Sequence, residues 1–134
     1  MSAEPQRILF VCTGNTCRSP YAAAVARQHG LNASSAGLDV REPAATADAI
    51  AAARARGIDL ASHAPRQVTA EALAAADVVV GLAESHARVL GNGARVLGAG
   101  IEDPYGLGPD AYARAYEQIE RAVVDLAKEL RTRG

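Results

Sequence analysis

The 134-residue chain carries 14 Lys and Arg against 15 Asp and Glu, so it is long enough to bury a real core and lacks the basic excess of nucleic-acid-binding proteins. No apolar stretch approaches the roughly 20 residues that span a bilayer, and the start of the chain has no apolar signal-peptide core. Its two cysteines lie in one short segment, which is no disulfide scaffold. We therefore expect a cytoplasmic protein with no nucleic-acid or membrane partner.

Short apolar runs alternate along the chain with alanine-rich stretches of helical spacing. The run Val78-Val79-Val80 is of the type buried in parallel sheets, and Tyr112, Ile119, Val123 and Leu126 are spaced for one helix face. This alternation predicts an α/β sheet with right-handed crossovers. Strands are predicted over 7–11, 32–36, 77–82 and 95–97, and helices over 20–29, 46–56, 69–75, 85–90 and 110–132, with Thr69 as a helix N-cap.

The segment between the first strand and the first helix has the features of a phosphate-binding loop. Backbone N–H groups of a tight loop before a helix converge on one concavity, where the helix dipole also favours an anion. Cys12 opens this loop and Arg18 closes it, so a thiolate and a bidentate guanidinium address the same tetrahedral oxyanion. Ser19 is the expected N-cap, and Pro20 fits the first helical turn. The alternative is that Cys12 is a small core residue.

A second loop is predicted to reach the same edge of the sheet, because parallel strands present their carboxyl ends together. It follows the fourth strand over 98–109 and is rich in glycine and proline. Asp103 in this loop is placed to protonate a leaving group and then to accept a proton from water. Local sequence alone also allows Asp103-Pro104 to be a plain turn.

The loop sequence Cys12-Thr-Gly-Asn-Thr-Cys-Arg-Ser-Pro20, together with Asp103-Pro104-Tyr105, resembles the low-molecular-weight protein-tyrosine phosphatase family. The similarity extends through Ser35-Ala36-Gly37, 63–69 and 76–80, and so covers nearly the whole chain. It implies a single phosphatase domain over 1–134. The implied fold is a three-layer α/β sandwich with a four-stranded parallel sheet, phosphotyrosine protein phosphatase I-like and Rossmann-like.

That resemblance implies a hydrolase that removes phosphate from protein side chains through a phosphocysteine, without a cofactor. Cys12 is the expected nucleophile, Arg18 the group that binds the equatorial oxygens, and Asp103 the general acid. The helix N-terminus and the arginine favour the thiolate form of Cys12. The phosphate-binding loop is expected to comprise Thr13, Gly14, Asn15, Thr16, Cys17 and Ser19, with the Ser19 hydroxyl donating to the departing thiolate.

Supporting residues are also implied by the resemblance. Asn15 is expected in a left-handed backbone conformation, held by Ser35 and His63. A histidine before a proline is also compatible with a capping or exposed role for His63. His29 and His86 are expected on the surface. With only three histidines and no carboxylate cluster near them, no metal site is expected.

Cys17 lies in the same loop as the expected nucleophile. The resemblance implies that an oxidised Cys12 forms a reversible disulfide with Cys17, which makes the enzyme redox-sensitive. Packing beneath the loop is the alternative role for Cys17, and the two roles are compatible with each other.

Substrate choice is expected to depend on the loop position held by Thr16 and on the aromatic residues that follow the predicted acid. In the tyrosine-specific branch, the residue at this loop position is commonly apolar and β-branched, and two aromatic residues follow the Asp-Pro pair. This chain has Thr16, then Tyr105 and Gly106. That pattern resembles the protein-arginine phosphatase branch and favours phosphoarginine over phosphotyrosine. Arg41 and Glu42 either meet charged substrate groups or are solvated loop residues.

Two other functions on the same fold remain as alternatives, an arsenate reductase-like thiol enzyme and a phosphate-binding module. A thiol-coupled arsenate reductase needs resolving cysteines on a distal segment, whereas this chain has only Cys12 and Cys17. A sugar-transport domain that carries a phosphocysteine must keep its phosphate, whereas Arg18 and Asp103 favour hydrolysis. We expect a monomer that acts on phosphorylated protein substrates.

Overall fold

The computed structural model describes residues 6–91 and 93–133. The first five residues, on which the expectation of no signal peptide rests, lie outside these ranges, as do positions 92 and 134. The strands are β1 (Arg7–Cys12), β2 (Asn32–Gly37), β3 (Val78–Gly81) and β4 (Arg95–Val96). They pair in parallel in the order β2-β1-β3-β4. The helices are α1 (Arg18–Gln28), α2 (Ala47–Ala55), α3 (Ala70–Ala75), α4 (Glu84–Leu90) and α5 (Pro109–Arg133).

β1 lies inside the sheet, and its side chains alternate between two apolar clusters. Ile8, Phe10 and Cys12 face a large cluster to which α1 and α5 contribute, whereas Leu9 and Val11 face a smaller cluster against α3. This is the two-residue period of a strand, and it buries both faces because a parallel sheet is covered by helices on each side. The predicted α/β fold with a four-stranded parallel sheet is confirmed.

The start of α1 differs from its prediction. The helix begins at Arg18 rather than Pro20, and Cys17 stands at the cap position without a side-chain cap hydrogen bond. The prediction of Ser19 as the N-cap is therefore wrong. Ser19 lies inside the first turn because its hydroxyl is buried and hydrogen-bonded to groups beside it, Cys12 Sγ and Asn15 Nδ2.

Two helices do begin at side-chain caps. Thr69 Oγ1 accepts a hydrogen bond from Ala72 N at 3.0 Å, which confirms the predicted cap of α3. Thr46 Oγ1 accepts one from Ala49 N at 3.1 Å, so Thr46 precedes α2 instead of forming its first residue.

The long closing helix presents the predicted apolar face to the core. Tyr112, Ile119, Val123 and Leu126 are all buried, and this face packs against α1 and α2. Among residues 6–91 and 93–133, no helix combines the length and apolar character needed to cross a membrane.

Candidate active site

The loop that connects β1 to α1 lies at the carboxyl end of the sheet. Its first residue, Cys12, pairs with Gly37 at the end of β2, and its last, Arg18, begins α1. A cavity of about 240 Å³ opens over the loop. The cavity is lined by loop residues, by Asp103 and Tyr105 from the loop after β4, and by Asp39, Arg41 and Glu42 from the loop after β2.

Most carbonyl groups of the loop accept hydrogen bonds from segments outside it. Five different donors are involved, four of them backbone or side-chain nitrogens and one a phenol. They are Leu38 N to Cys12 O (3.0 Å), Asp39 N to Thr13 O (2.8 Å), His63 Nε2 to Asn15 O (2.8 Å), Thr46 N to Thr16 O (3.2 Å) and Tyr116 Oη to Cys17 O (2.8 Å).

These bonds determine where the loop amides point. A trans peptide is planar, and its C=O and N–H point in opposite directions. Each carbonyl held outside the loop therefore turns the amide of the next residue towards the concave side. The amides of Thr13, Gly14, Thr16, Cys17 and Arg18 meet this condition, which forms an anion-binding cradle.

Asn15 is the one non-glycine residue with positive φ in the described part of the chain, at φ 56. Its side chain is fully buried and makes three hydrogen bonds. Asn15 Nδ2 donates to Ser19 Oγ at 2.8 Å and to Ser35 Oγ at 2.9 Å, and Arg66 N donates to Asn15 Oδ1 at 3.0 Å. The structure thus brings together Asn15, Ser35 and His63: Ser35 accepts a hydrogen bond from the Asn15 side chain, and His63 donates one to the Asn15 carbonyl.

Gly37 lets the loop backbone lie directly against the end of β2. A Cβ atom at this position would stand 2.9 Å from Thr13 O and 3.0 Å from Asn15 N. Real Cβ atoms do not approach backbone atoms so closely, so any larger residue here displaces the loop.

The thiol of Cys12 lies at the base of the cradle and is buried. Its Sγ is 2.9 Å from Ser19 Oγ. Ser19 Oγ accepts a hydrogen bond from Asn15 Nδ2, and Cys12 Sγ at 2.9 Å and Ala36 O at 3.4 Å are the two acceptors within reach of its single hydrogen.

The two terminal nitrogens of the Arg18 guanidinium contact the loop after β4, whereas its Nε makes no hydrogen bond. Nη1 donates to Ile101 O at 3.0 Å, and Nη2 lies 3.6 Å from Asp103 Oδ2. Among the described residues, Arg18 Nε is buried without a hydrogen-bond partner. An unsatisfied buried donor is costly, so this nitrogen fits a ligand oxyanion. Asp103 itself is more than half exposed at the cavity edge.

The sequence profile of the low molecular weight phosphotyrosine protein phosphatase family matches residues 7–134. The chain belongs to this family. It is 36% identical over 140 residues to the low molecular weight protein-tyrosine-phosphatase Etp of Escherichia coli, covering 92% of this chain and 93% of that one. It is 32% identical over 145 residues to the protein-arginine-phosphatase of Bacillus subtilis, covering 92% and 96% of the two chains.

A solved structure in the same family supports the fold. The YwlE arginine phosphatase from Geobacillus stearothermophilus superposes with a TM-score of 0.88 at 31% identity, covering 96% of this phosphatase and 95% of that chain. The family resemblance identified from the loop sequences is thereby confirmed. Relatives of this chain include proteins named as tyrosine phosphatases and as arginine phosphatases.

Cys17 of the phosphatase is buried in the large core cluster and also lines the cavity over the loop. Burial, and then the neighbouring Cys12, raises the pKa of Cys17 to about 12, so this sulfur stays a neutral thiol at neutral pH. In the described part of the chain, no three His, Cys, Asp or Glu side chains gather as metal ligands.

His86 corrects one sequence-based expectation. It was expected on the surface but is buried, and its Nε2 is hydrogen-bonded to Thr13 Oγ1 at 3.0 Å. Burial, and then the nearby Arg18 guanidinium, lowers the pKa of His86 to about 4, with Asp103 opposing the shift. His86 is therefore neutral at neutral pH. Its place beside the loop comes from the packing of α4, for which the sequence offers no local signal.

Two further residues at the site went unrecognised in the sequence. Thr46 and Tyr116 hold loop carbonyls, yet both lie far from the loop in the chain. The spacing of Tyr116 four residues after Tyr112 places both on one helix face and predicts burial. It does not predict which carbonyl the hydroxyl reaches.

We expect the stability of the phosphatase to fall as the pH drops from about 6.5 towards 4. The pKa of His86 is lowered in the folded state, so the unfolded chain binds more protons in that window. The full effect of this shift is on the order of 3 kcal/mol in the free energy of unfolding.

Urea unfolding measured between pH 4 and 7.5 tests this for the wild type and for His86→Gln, which keeps a neutral hydrogen-bonding group. Burial also lowers the pKa of His63, so the variant should show a shallower slope rather than none. Parallel curves for the two proteins contradict the assignment to His86.

Proposed function

We propose that this phosphatase hydrolyses phosphorylated protein side chains through a phosphocysteine formed on Cys12. The observation that carries the proposal is the arrangement around the Cys12 sulfur: inward-facing loop amides on several sides and the buried, unpartnered Nε of Arg18. These donors match the equatorial oxygens of a phosphoryl group, where transition-state charge is held. A thiol at the base of such a cradle attacks phosphorus in line with the leaving group.

The second step returns the enzyme to its starting state. Asp103 gives its proton to the leaving oxygen or nitrogen in the first step, and then takes a proton from the water that attacks phosphorus. The sulfur–phosphorus bond breaks and Cys12 leaves as a thiolate, which the hydroxyl of Ser19 at 2.9 Å stabilises. The arsenate reductase alternative is not favoured, since the chain has no cysteine beyond Cys12 and Cys17.

The second cysteine has a proposed protective role. Hydrogen peroxide oxidises the Cys12 thiolate to a sulfenic acid, and the Cys17 thiol condenses with it to a disulfide with loss of water. A thiol reductant reverses the step. This chemistry also favours a cytoplasmic location, because a reducing compartment keeps Cys12 free.

The proposed substrate class is phosphoarginine, with phosphotyrosine as the alternative. Thr16 is buried and lines the cavity. A bound phosphoryl group would therefore lie next to a hydroxyl, where the tyrosine-specific branch commonly has an apolar β-branched side chain. Tyr105 is exposed at the rim and is followed by Gly106, which leaves only one side of a phenol slot. At the same rim Asp39 is ion-paired with Arg41 at 2.9 Å, and the carboxylate of Glu42 suits a cationic guanidinium. Relatives named for each substrate exist at similar identity.

Cys12→Ser should abolish turnover of an aryl phosphate while inorganic phosphate still binds. The cradle consists of amides and Arg18, neither of which needs the thiol. Steady-state kinetics and calorimetric titration with phosphate measure the two properties separately. Turnover near that of the wild type would remove Cys12 as the nucleophile.

Asp103→Asn should lower turnover strongly for substrates with basic leaving groups and much less for those with acidic ones. General acid catalysis contributes most when the departing atom holds its proton tightly, with losses of roughly 10²–10⁴-fold. A series of aryl phosphates of graded leaving-group basicity, compared at fixed pH, tests this. Glu102→Gln, next to it on the exposed surface, is the matched control. An equal loss across the series excludes the acid role.

Thr16→Ile should shift the ratio of phosphoarginine to phosphotyrosine turnover towards tyrosine. The change keeps the β-branched shape and removes the hydroxyl at the phosphoryl site. A shift of roughly ten- to two-hundredfold is expected for such a pocket contact. Thr13→Val removes a loop hydroxyl that is hydrogen-bonded to His86 and serves as the control. If the ratio is unchanged while both activities survive, Thr16 has only a structural role.

A further inference from the structure

Three tyrosines from α1 and α5 meet in the large core cluster next to the phosphate-binding loop. Tyr21 from α1 stacks on Tyr116 from α5, with ring centroids 3.8 Å apart and an interplanar angle of 4°. Tyr112, one turn earlier on α5, meets Tyr116 edge-on at 5.9 Å. All three rings are buried. The rings are therefore fixed relative to one another, and each hydroxyl has a defined direction.

The three hydroxyls reach different partners. Tyr21 donates to Glu120 Oε2 at 2.5 Å, an oxygen that also receives Arg56 Nε, so this hydroxyl belongs to an ion pair near the surface. Tyr112 is hydrogen-bonded to Thr46 Oγ1 at 2.9 Å. Of the three, only Tyr116 donates to the loop, and its Oη lies 2.8 Å from Cys17 O.

The carbonyl that Tyr116 reaches belongs to the peptide at the junction between the loop and α1. The Cys17–Arg18 peptide joins the loop to α1, and its N–H is the first of the helix amides that have no partner within the helix. The Cys17 carbonyl stands at the cap position, where it accepts the first helical hydrogen bond. A carbonyl oxygen has a second lone pair, and Tyr116 occupies it.

Two effects on the Arg18 amide follow from this contact. The planar peptide transmits the direction of the carbonyl to the N–H at its other end, which faces the cradle. A second donor on the oxygen also polarises the peptide, so that its N–H becomes a stronger donor. Burial, followed by repulsion from the neighbouring Cys17, raises the pKa of Tyr116, so the phenol keeps its proton and remains a donor.

We propose that Tyr116 is a positioning residue of this phosphatase: its hydroxyl, bound to the Cys17 carbonyl, holds the Arg18 amide towards the transferred phosphoryl group. The proposal rests on the proposed function of the loop, since it describes how one donor of that loop is aimed. Tyr116 touches no reacting atom and acts only through the Cys17–Arg18 peptide.

The chain offers a matched pair of variants. Tyr116→Phe keeps the stacked ring and removes only the hydroxyl bond to the loop. Tyr21→Phe keeps the other ring of the same stack and removes a buried hydroxyl bond that ends at Glu120, away from the loop. Both variants lose one hydrogen bond in the same aromatic cluster, so both should melt at a lower temperature than the wild type.

Three quantities separate the two variants: kcat and KM for p-nitrophenyl phosphate, the Kd of inorganic phosphate by calorimetry, and Tm. All are measured on the full chain well below both melting temperatures. Tyr116→Phe should lower kcat about 3- to 10-fold and raise the phosphate Kd at least about twofold, as expected for one weakened hydrogen bond. Tyr21→Phe should leave both values unchanged.

Equal kcat and equal phosphate Kd in the two variants and the wild type would overturn the proposal and leave Tyr116 a structural residue only. Failure of the proposed function has a different signature. In that case the wild type turns over no phosphorylated substrate. The phosphate Kd values of Tyr116→Phe and Tyr21→Phe can still be compared with each other, and this comparison tests the positioning role.

Discussion

The active site depends on one constraint, namely that the carbonyls of the loop after β1 are hydrogen-bonded on its outer side. Five of them have donors from outside the loop, and peptide planarity then turns the following amides inward. An anion cradle of this kind needs no cation besides Arg18, because the partial charges of the amides and the start of α1 already favour a phosphoryl group. The proposed chemistry of Cys12 requires this geometry.

The support comes from two sides of the fold. On the β2 side, Leu38, Asp39 and His63 hold the first half of the loop, and Gly37 gives it room to approach the strand. On the helical side, Thr46 and Tyr116 hold the second half. A left-handed Asn15 costs backbone energy, which its fully satisfied buried side chain offsets. Hydrogen bonds on both sides of the loop thus hold the left-handed Asn15 in place at its centre.

At neutral pH, His86 and Cys17 beside the loop are both uncharged. His86 is neutral because burial and Arg18 disfavour its charged form, and Cys17 remains a thiol because it is buried beside another sulfur. In a low-dielectric region, a negative charge on Cys17 would repel a bound phosphoryl group, and a positive charge on His86 would repel the Arg18 guanidinium. Burial therefore keeps His86 uncharged beside Arg18, which lines the cavity.

The amino-acid sequence is sufficient to predict the alternation of strands and helices, the parallel sheet, the buried face of α5 and the family, because periodicity and the loop motif between Cys12 and Arg18 are local signals. Ser19 was wrongly predicted as the cap, since nothing local indicates that its hydroxyl is committed to Cys12 and Asn15. The burial of His86 beside Thr13 and the hydrogen bond from Tyr116 to Cys17 O arise from tertiary packing. These contacts join residues about 73 and 99 positions apart, and packing of whole helices on the sheet, which no short sequence pattern encodes, brings them together.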